Sequence, residues 1–336
     1  MRRLVLLLPA LLSMFSSQPL GRAESGAGTS LRLFAAVRLF RGSVSGNNVG
    51  SYGVFVRDAG DTAWRKVTRS NLIALGLGYF GRNNCSRHYI AAGNGVHRST
   101  DGGRTWRILT GWRTEEILGV LPDPVDSNVI FAATVEGLFK STDDGKTWLR
   151  KENGMKRWYA KKLVMDCRDR RRLYAVMEDG LYRSVDGGDH WVAMKIGVKG
   201  ILTFLQVPAE PRIFLAGMED GGVCRSLDGG ESWERTGGLD SLSIYALAAS
   251  GDGKDFYAGG YGTGLWRSRD NGAQWEQITP QPETESVYTV FVDPFDRNHL
   301  LVGTSGLGVY ESTDCGSTWR QAGLMGAQVK QLEMYP

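Results

Sequence analysis

The sequence is poor in the residues that most often signal a chemistry. Its 336 residues hold four cysteines and four histidines. Cys85, Cys167, Cys224 and Cys315 stand far apart, whereas a disulfide framework shows close, even clustering. Free or buried thiols are expected, with one bridge left open in an oxidising compartment. His88, His97, His190 and His299 are scattered, with no H-E-x-x-H and no Cys/His set, so neither a metal site nor a cofactor is expected. Charge of one sign is scarce as well. The formal charge is +4, and it falls to about +1 if Arg2, Arg3 and Arg22 are removed with a leader. So small a charge gives no general attraction to phosphate backbones, and no nucleic-acid partner is expected. Past Phe15 no apolar run is long enough for a membrane-spanning helix.

The one apolar run lies at the start. Met1-Arg-Arg is followed by Leu4-Val-Leu-Leu-Leu-Pro-Ala-Leu-Leu-Ser-Met-Phe15 and then by a polar stretch ending Gly21-Arg-Ala23. A basic start, an apolar middle and small residues before a cut form the layout of a secretory signal. The run is short and broken by Pro9 and Ser13, which argues against a membrane anchor. Residues 1–23 are read as a signal peptide cut near Ala23. Residues 24–30 are read as a linker, and 31–336 as the exported domain.

What the chain has in abundance is one repeated stretch. Ser99-Thr-Asp-Gly-Gly-Arg-Thr-Trp106 follows the pattern S-x-D-x-G-x-x-W. It returns as Ser141–Trp148, Ser184–Trp191, Ser226–Trp233, Ser268–Trp275 and Ser312–Trp319. Its acids are Asp101, Asp143, Asp186, Asp228, Asp270 and Asp314. The tryptophans Trp106, Trp148, Trp191, Trp233, Trp275 and Trp319 lie 42, 43, 42, 42 and 44 residues apart. A fixed period of this size marks a repeat architecture. Each copy sits between two short apolar runs, so it reads as a hairpin turn. Asp and Ser side chains accept bonds from nearby backbone N–H groups, the Gly supplies positive φ, and the Trp covers the turn. One carboxylate per turn is too few oxygens for calcium.

Asp58-Ala-Gly-Asp-Thr-Ala-Trp64 is a worn copy, with Trp64 in phase 42 residues before Trp106. That makes seven repeats. The repeat from Ile117 to Arg150 shows four strands: Ile117–Leu121, Val129–Thr134, Leu138–Ser141 and Trp148–Arg150. Four short strands per 42 residues predict an all-β, seven-bladed propeller. The first repeat lacks its first strand, and the tail Gln328–Pro336 resembles one with no blade after it. The tail is therefore expected to complete the first blade, which removes an exposed edge.

The repeated pattern resembles the Asp-box, or BNR, repeat. That repeat occurs in sialidases, xyloglucan-degrading glycosidases, the sortilin luminal domain and photosystem II stability and assembly factors. The resemblance implies a β-propeller and is nearly silent about activity.

Candidate sites lie in the less regular segments. In a blade the turns between strands two and three share a face with the blade-to-blade connections. Glu136, Glu178-Asp179 and Glu219-Asp220 occupy such turns in three consecutive blades, though Glu-Asp-Gly is also ordinary turn chemistry. The connection Arg150–Lys162 mixes six basic residues with two aromatics, and its Lys156, Arg157, Trp158 and Tyr159 suit a protein hot spot or a sugar-stacking platform. Trp112-Arg113 occupies the preceding connection. Cys167-Arg-Asp-Arg-Arg-Arg172 on the opposite face is a basic run that fits an acidic partner or a solvated turn.

Two functions follow from the resemblance. The first is a non-catalytic exported scaffold that binds a protein partner, like the photosystem II assembly factors. The alternative is a glycoside hydrolase or glycan-binding propeller. Sialidases carry three arginines, a Tyr with a supporting Glu, an Asp acid and an Arg-Ile-Pro run. Here the first repeat has Arg38-Leu-Phe-Arg41 instead. Glycoside hydrolysis needs two carboxylates flanking a bond, and Glu136, Glu178 and Glu219 are the candidates.

Overall fold

A strand buried on both faces must be apolar at every position, and this governs the middle of each repeat. Leu173–Met177 shows it: all five residues are buried. Leu173, Ala175 and Met177 pack toward the preceding repeat, while Tyr174 and Val176 pack toward the next. Successive side chains point to opposite faces of a strand, so one strand feeds two cores.

In a computed structural model the chain is described over residues 31–40, 52–58, 60–69, 71–82, 85–110, 116–278 and 286–335. These form seven antiparallel sheets of four strands each, with no helix among the described residues. The protein is a seven-bladed propeller. Blade four shows the common plan: Ala160–Met165 innermost, then Leu173–Met177, Gly180–Ser184 and, at the rim, Val192–Ala193. The rim strands have two residues each and are mostly exposed, as in Val192–Ala193. Seven apolar clusters fill the seven gaps between neighbouring blades.

The tail closes the ring as the repeats predict. Ala327–Tyr335 is the innermost strand of the first blade and pairs antiparallel with Arg32–Phe40, Arg32 facing Tyr335. Val329 and Leu332 enter the core against the last blade, and Tyr335 enters the core against the second. The leader and linker of the sequence reading lie outside the described residues. Strand limits shift slightly from those expected. The fourth strand of blade three begins at Leu149, because Trp148 is tied into the turn by its indole N–H, which donates to the Gly145 carbonyl at 3.2 Å.

Candidate functional site at the channel mouth

The six repeated turns are built alike, and their hydrogen bonds are spent within the turn. In Ser141–Trp148 the Ser141 hydroxyl donates to Asp143 at 2.8 Å and accepts the Gly145 N–H at 2.8 Å. Asp143 accepts the Thr147 N–H at 2.9 Å and the Thr147 hydroxyl at 2.6 Å. Those two bonds, the hydroxyl first, hold the Asp143 pKa down at about 2. A carboxylate so engaged is a turn clamp. Among the described residues no group of three or more His, Cys, Asp or Glu is placed to hold a metal ion.

The candidate site lies at the opposite end of the ring axis. In every blade the innermost strand carries a β-bulge near its start, as between Ala160 and Lys162 or between Val287 and Thr289. A bulge re-aims one side chain, and here seven re-aimed residues converge. Three are leucines, Leu75, Leu118 and Leu202. The other four are Lys161, Tyr245, Tyr288 and Lys330. With Lys162, Thr203 and Glu333 below them, they line a cavity of about 190 Å³ that all seven innermost strands surround.

The lysines of this cavity make few hydrogen bonds among the described residues. The Lys162 ammonium donates to the Thr203 hydroxyl at 3.0 Å. Burial pushes its pKa down to about 8, against the opposing charge of Glu333. The Lys161 ammonium donates to the Ile201 carbonyl at 2.9 Å. Burial lowers it too, and Glu219 and Glu178 partly offset this. Lys330 lies over the Tyr288 ring, its Nζ 3.7 Å from the centroid. Burial and the charge of Arg38 take its pKa down to about 8. Tyr288 in turn packs on Tyr245 at 5.8 Å between ring centres.

The residues singled out in the sequence fall around this mouth. Glu178 and Glu219 are exposed and both act on Lys161, so the structure brings those two acids to one lysine. Asp179 accepts the Tyr182 hydroxyl at 2.8 Å within its own hairpin, and Asp220 accepts at 2.8 Å the hydroxyl of Ser243, in the connection to the next blade. Glu136 is exposed and touches none of these groups through the bonds seen. Trp158 is 60 % exposed and Tyr159 38 %. The Arg150 guanidinium lies over the Trp158 ring at 4.9 Å and is held there by Glu152 at 2.8 Å. Lys156 and Arg157 are exposed beside them. Trp112 and Arg113 lie outside the described residues. The basic run on the far face is partly neutralised: Arg170 pairs with Asp123 at 2.8 Å and Arg172 with Asp166 at 3.7 Å.

Known structures share this fold. No protein-family model and no curated protein matches the chain. A GH74 enzyme from Niastella koreensis superposes with a TM-score of 0.62 at 19% identity, over 74% of this chain and 45% of that one. YCF48 bound to D1 peptide gives 0.56 at 17% identity, over 74% and 81%. An extracellular domain from B. thetaiotaomicron gives 0.62 at 15% identity, over 83% and 38%. Identities this low speak for the fold alone. The chain matches less than half the length of the GH74 enzyme. No helix among the described residues is long and apolar enough to cross a membrane.

The sequence reading did not single out Lys161, Lys162, Tyr245, Tyr288 and Lys330 as a site. A signal existed. The bulged residues recur at 43, 43, 41, 43, 43 and 42 residues, and in an otherwise apolar column four of seven are Lys or Tyr.

Proposed function

We propose that this chain is a non-catalytic, exported propeller that binds a protein partner through its connection face, as a scaffold of the kind seen in photosystem II assembly factors. The carrying observation is the exposed Trp158, braced by Arg150 and flanked by Tyr159 and basic residues. An aromatic held rigid by a cation costs little side-chain entropy on binding, which is the profile of an interface hot spot. The resemblance of the repeated turns to the Asp-box supports this reading, and so does a solved neighbour that carries a bound peptide. Export is supported by the signal-like residues 1–23, followed by a linker over 24–30 and the domain over 31–336.

Glycan binding is the second reading. The Trp158 platform also suits a sugar ring, and a GH74 enzyme shares the fold. Hydrolysis is less well supported. A general acid needs burial or a like charge to hold its proton at neutral pH, whereas Glu136, Glu178 and Glu219 are all exposed.

Two assays on the purified chain test the choice. Capture of one defined partner should be lost in the Trp158→Ala, Arg157→Ala double variant. Chromogenic glycosides and polysaccharides should show no turnover. Turnover abolished by Glu178→Gln would overturn the scaffold reading in favour of a hydrolase.

A further inference from the structure

The channel mouth is chemically distinct from the Trp158 platform. Three ammonium groups, those of Lys161, Lys162 and Lys330, line one cavity. Each has three N–H donors. Among the described residues they make two hydrogen bonds to oxygen between them, one to Thr203 and one to the Ile201 carbonyl. Among the described residues none has a carboxylate within ion-pair distance. All three are half-buried, and Lys330 has the face of Tyr288 as a partner; cations drawn this far out of water are normally paired with an anion, because desolvation of a charge is costly. A site that keeps three lysines in this condition is built for an anion that arrives from outside.

The surroundings set the class of that anion. Glu178 and Glu219 act on Lys161 at the rim, and Glu333 acts on Lys162 below. With Arg38, which acts on Lys330, four cations face three carboxylates, and so small a positive excess favours a monoanion over phosphate dianions and polyanions. Tyr245 and Tyr288 form an aromatic wall on the side of Lys330. Leu75, Leu118 and Leu202 complete an apolar collar.

We propose that the channel mouth binds a single carboxylate, held among Lys161, Lys162 and Lys330, whose apolar or aromatic body packs on Tyr245 and Tyr288. Two sources share this chemistry: a free monocarboxylic acid and the C-terminal carboxylate of a polypeptide. The cavity of about 190 Å³ admits one or two residues of a chain end. The chain-end form rests on the scaffold reading above, whereas the free-acid form does not.

Calorimetric titration of the full chain tests this with four probes: phenylacetate, the peptide Ala-Ala-Ala-Phe with a free C-terminus, its C-terminal amide, and inorganic phosphate. At least one acid should bind, and the amide should bind about tenfold or more weakly than the acid peptide, as expected for losing a charge-assisted contact. Lys162→Met and Lys330→Met should each weaken the acid by a similar factor. If Lys162→Met does not fold, the half-buried Lys330→Met decides alone. Phenylacetate equal to the peptide assigns the site to free acids, and a much tighter peptide assigns it to chain ends. Equal binding of amide and acid, preference for phosphate, or no heat from any probe overturns the proposal. Partner capture lost in the Trp158 variant but untouched in both lysine variants would remove the chain-end form and leave the scaffold reading standing.

Discussion

Arg57 and Glu311 form a bidentate, buried ion pair across the seam between the first and last blades. The guanidinium donates to the two carboxylate oxygens at 2.9 and 3.3 Å, and the side chains are 6% and 5% exposed. Glu311 stands just before the Ser that opens its repeated turn, and Arg57 stands at the place of that Ser in the worn copy, seven residues before Trp64. In blades two to six the position before the Ser holds a basic residue, and in blades three, five and six it donates to a carbonyl in the next blade's turn: Lys140 to Gly187 at 2.8 Å, Arg225 to Asn271 at 3.1 Å, Arg267 to Cys315 at 2.7 Å. The first blade has only the worn turn 58–64 to offer. Blade seven therefore carries an acid where its siblings carry a base, and that acid finds the first blade's arginine. The stitch is inverted where the two ends of the chain meet.

Replacing Arg57 by Met should therefore cost more than a surface substitution. Glu311 would stay buried, with only His299 at 2.7 Å and Arg320 at 2.6 Å to compensate it. Breaking a buried pair in this way costs about 3–5 kcal/mol, and the remaining partners put the loss near the low end. Urea unfolding of the two proteins measures it. A change within about 0.5 kcal/mol would mean that the pair behaves as a screened surface contact.

The same seam should carry a pH signature. His299 lies between Asp293 at 3.0 Å and Glu311 at 2.7 Å, and these bonds raise its pKa from 6.5 to about 9. Burial alone would push Glu311 up, but the bonds from His299 and Arg57 and the charge of Arg320 hold it down at about 2. A raised His contributes stability that is complete below 6.5 and lost as pH rises through about 9. A lowered Glu contributes stability that is complete above 4.5 and lost as pH falls through about 2. The seam is thus strongest between 4.5 and 6.5. The melting temperature of the parent minus that of His299→Gln should shrink steadily from pH 6.5 to 9. A constant difference across that range would show that His299 is neutral in the folded chain.

The regular parts of this fold were legible because each rests on local physics that recurs. One turn per blade fixes the Trp spacing, and one doubly buried strand per blade fixes the apolar run, so seven repeats could be counted from Trp64 to Trp319. The odd strand at residues 328–336 was legible because a four-strand repeat with three strands must borrow one. The channel mouth was less so. Lys161 and Lys330 are 169 positions apart in the chain, and they share a cavity only because the ring closes. Each also looks unremarkable in its own repeat. Trp158 was found because its loop is irregular on its face, whereas the lysines sit within strands of the repeat, two of them at bulges that every blade shares.

Removing residues 327–336 tests that borrowing directly. The first blade would lose its innermost strand and expose the edge of Arg32–Phe40. Val329, Leu332 and Tyr335 would leave two interblade cores. Three large buried side chains amount to a loss on the order of 6 kcal/mol, or roughly 10 °C in Tm for a domain of this size. A peptide of the deleted sequence, added in trans, should restore part of the loss by pairing with the open edge. An unaltered melting curve would show that the ring is held shut by the outer strands instead.

The repeated tryptophans look equivalent in sequence, but the structure divides them. Trp191 is 3% exposed, and its indole N–H is shared between the Gly188 carbonyl of its own turn at 3.1 Å and the Lys151 carbonyl of the preceding blade at 3.0 Å. Trp148 is half-buried and donates to Gly145 of its own turn. Trp64, in the worn copy, is buried and donates across the seam to Ala322 at 2.7 Å. A ring that bridges blades removes both a core and an interblade bond when truncated. Trp191→Ala should therefore cost about 3–5 kcal/mol. Trp148→Ala, which leaves a more open site that water can fill, should cost about 1–2 kcal/mol. Equal losses in chemical unfolding would mean that the turn clamp, common to both, sets the contribution of the ring, and that the bridge to the neighbouring blade adds nothing.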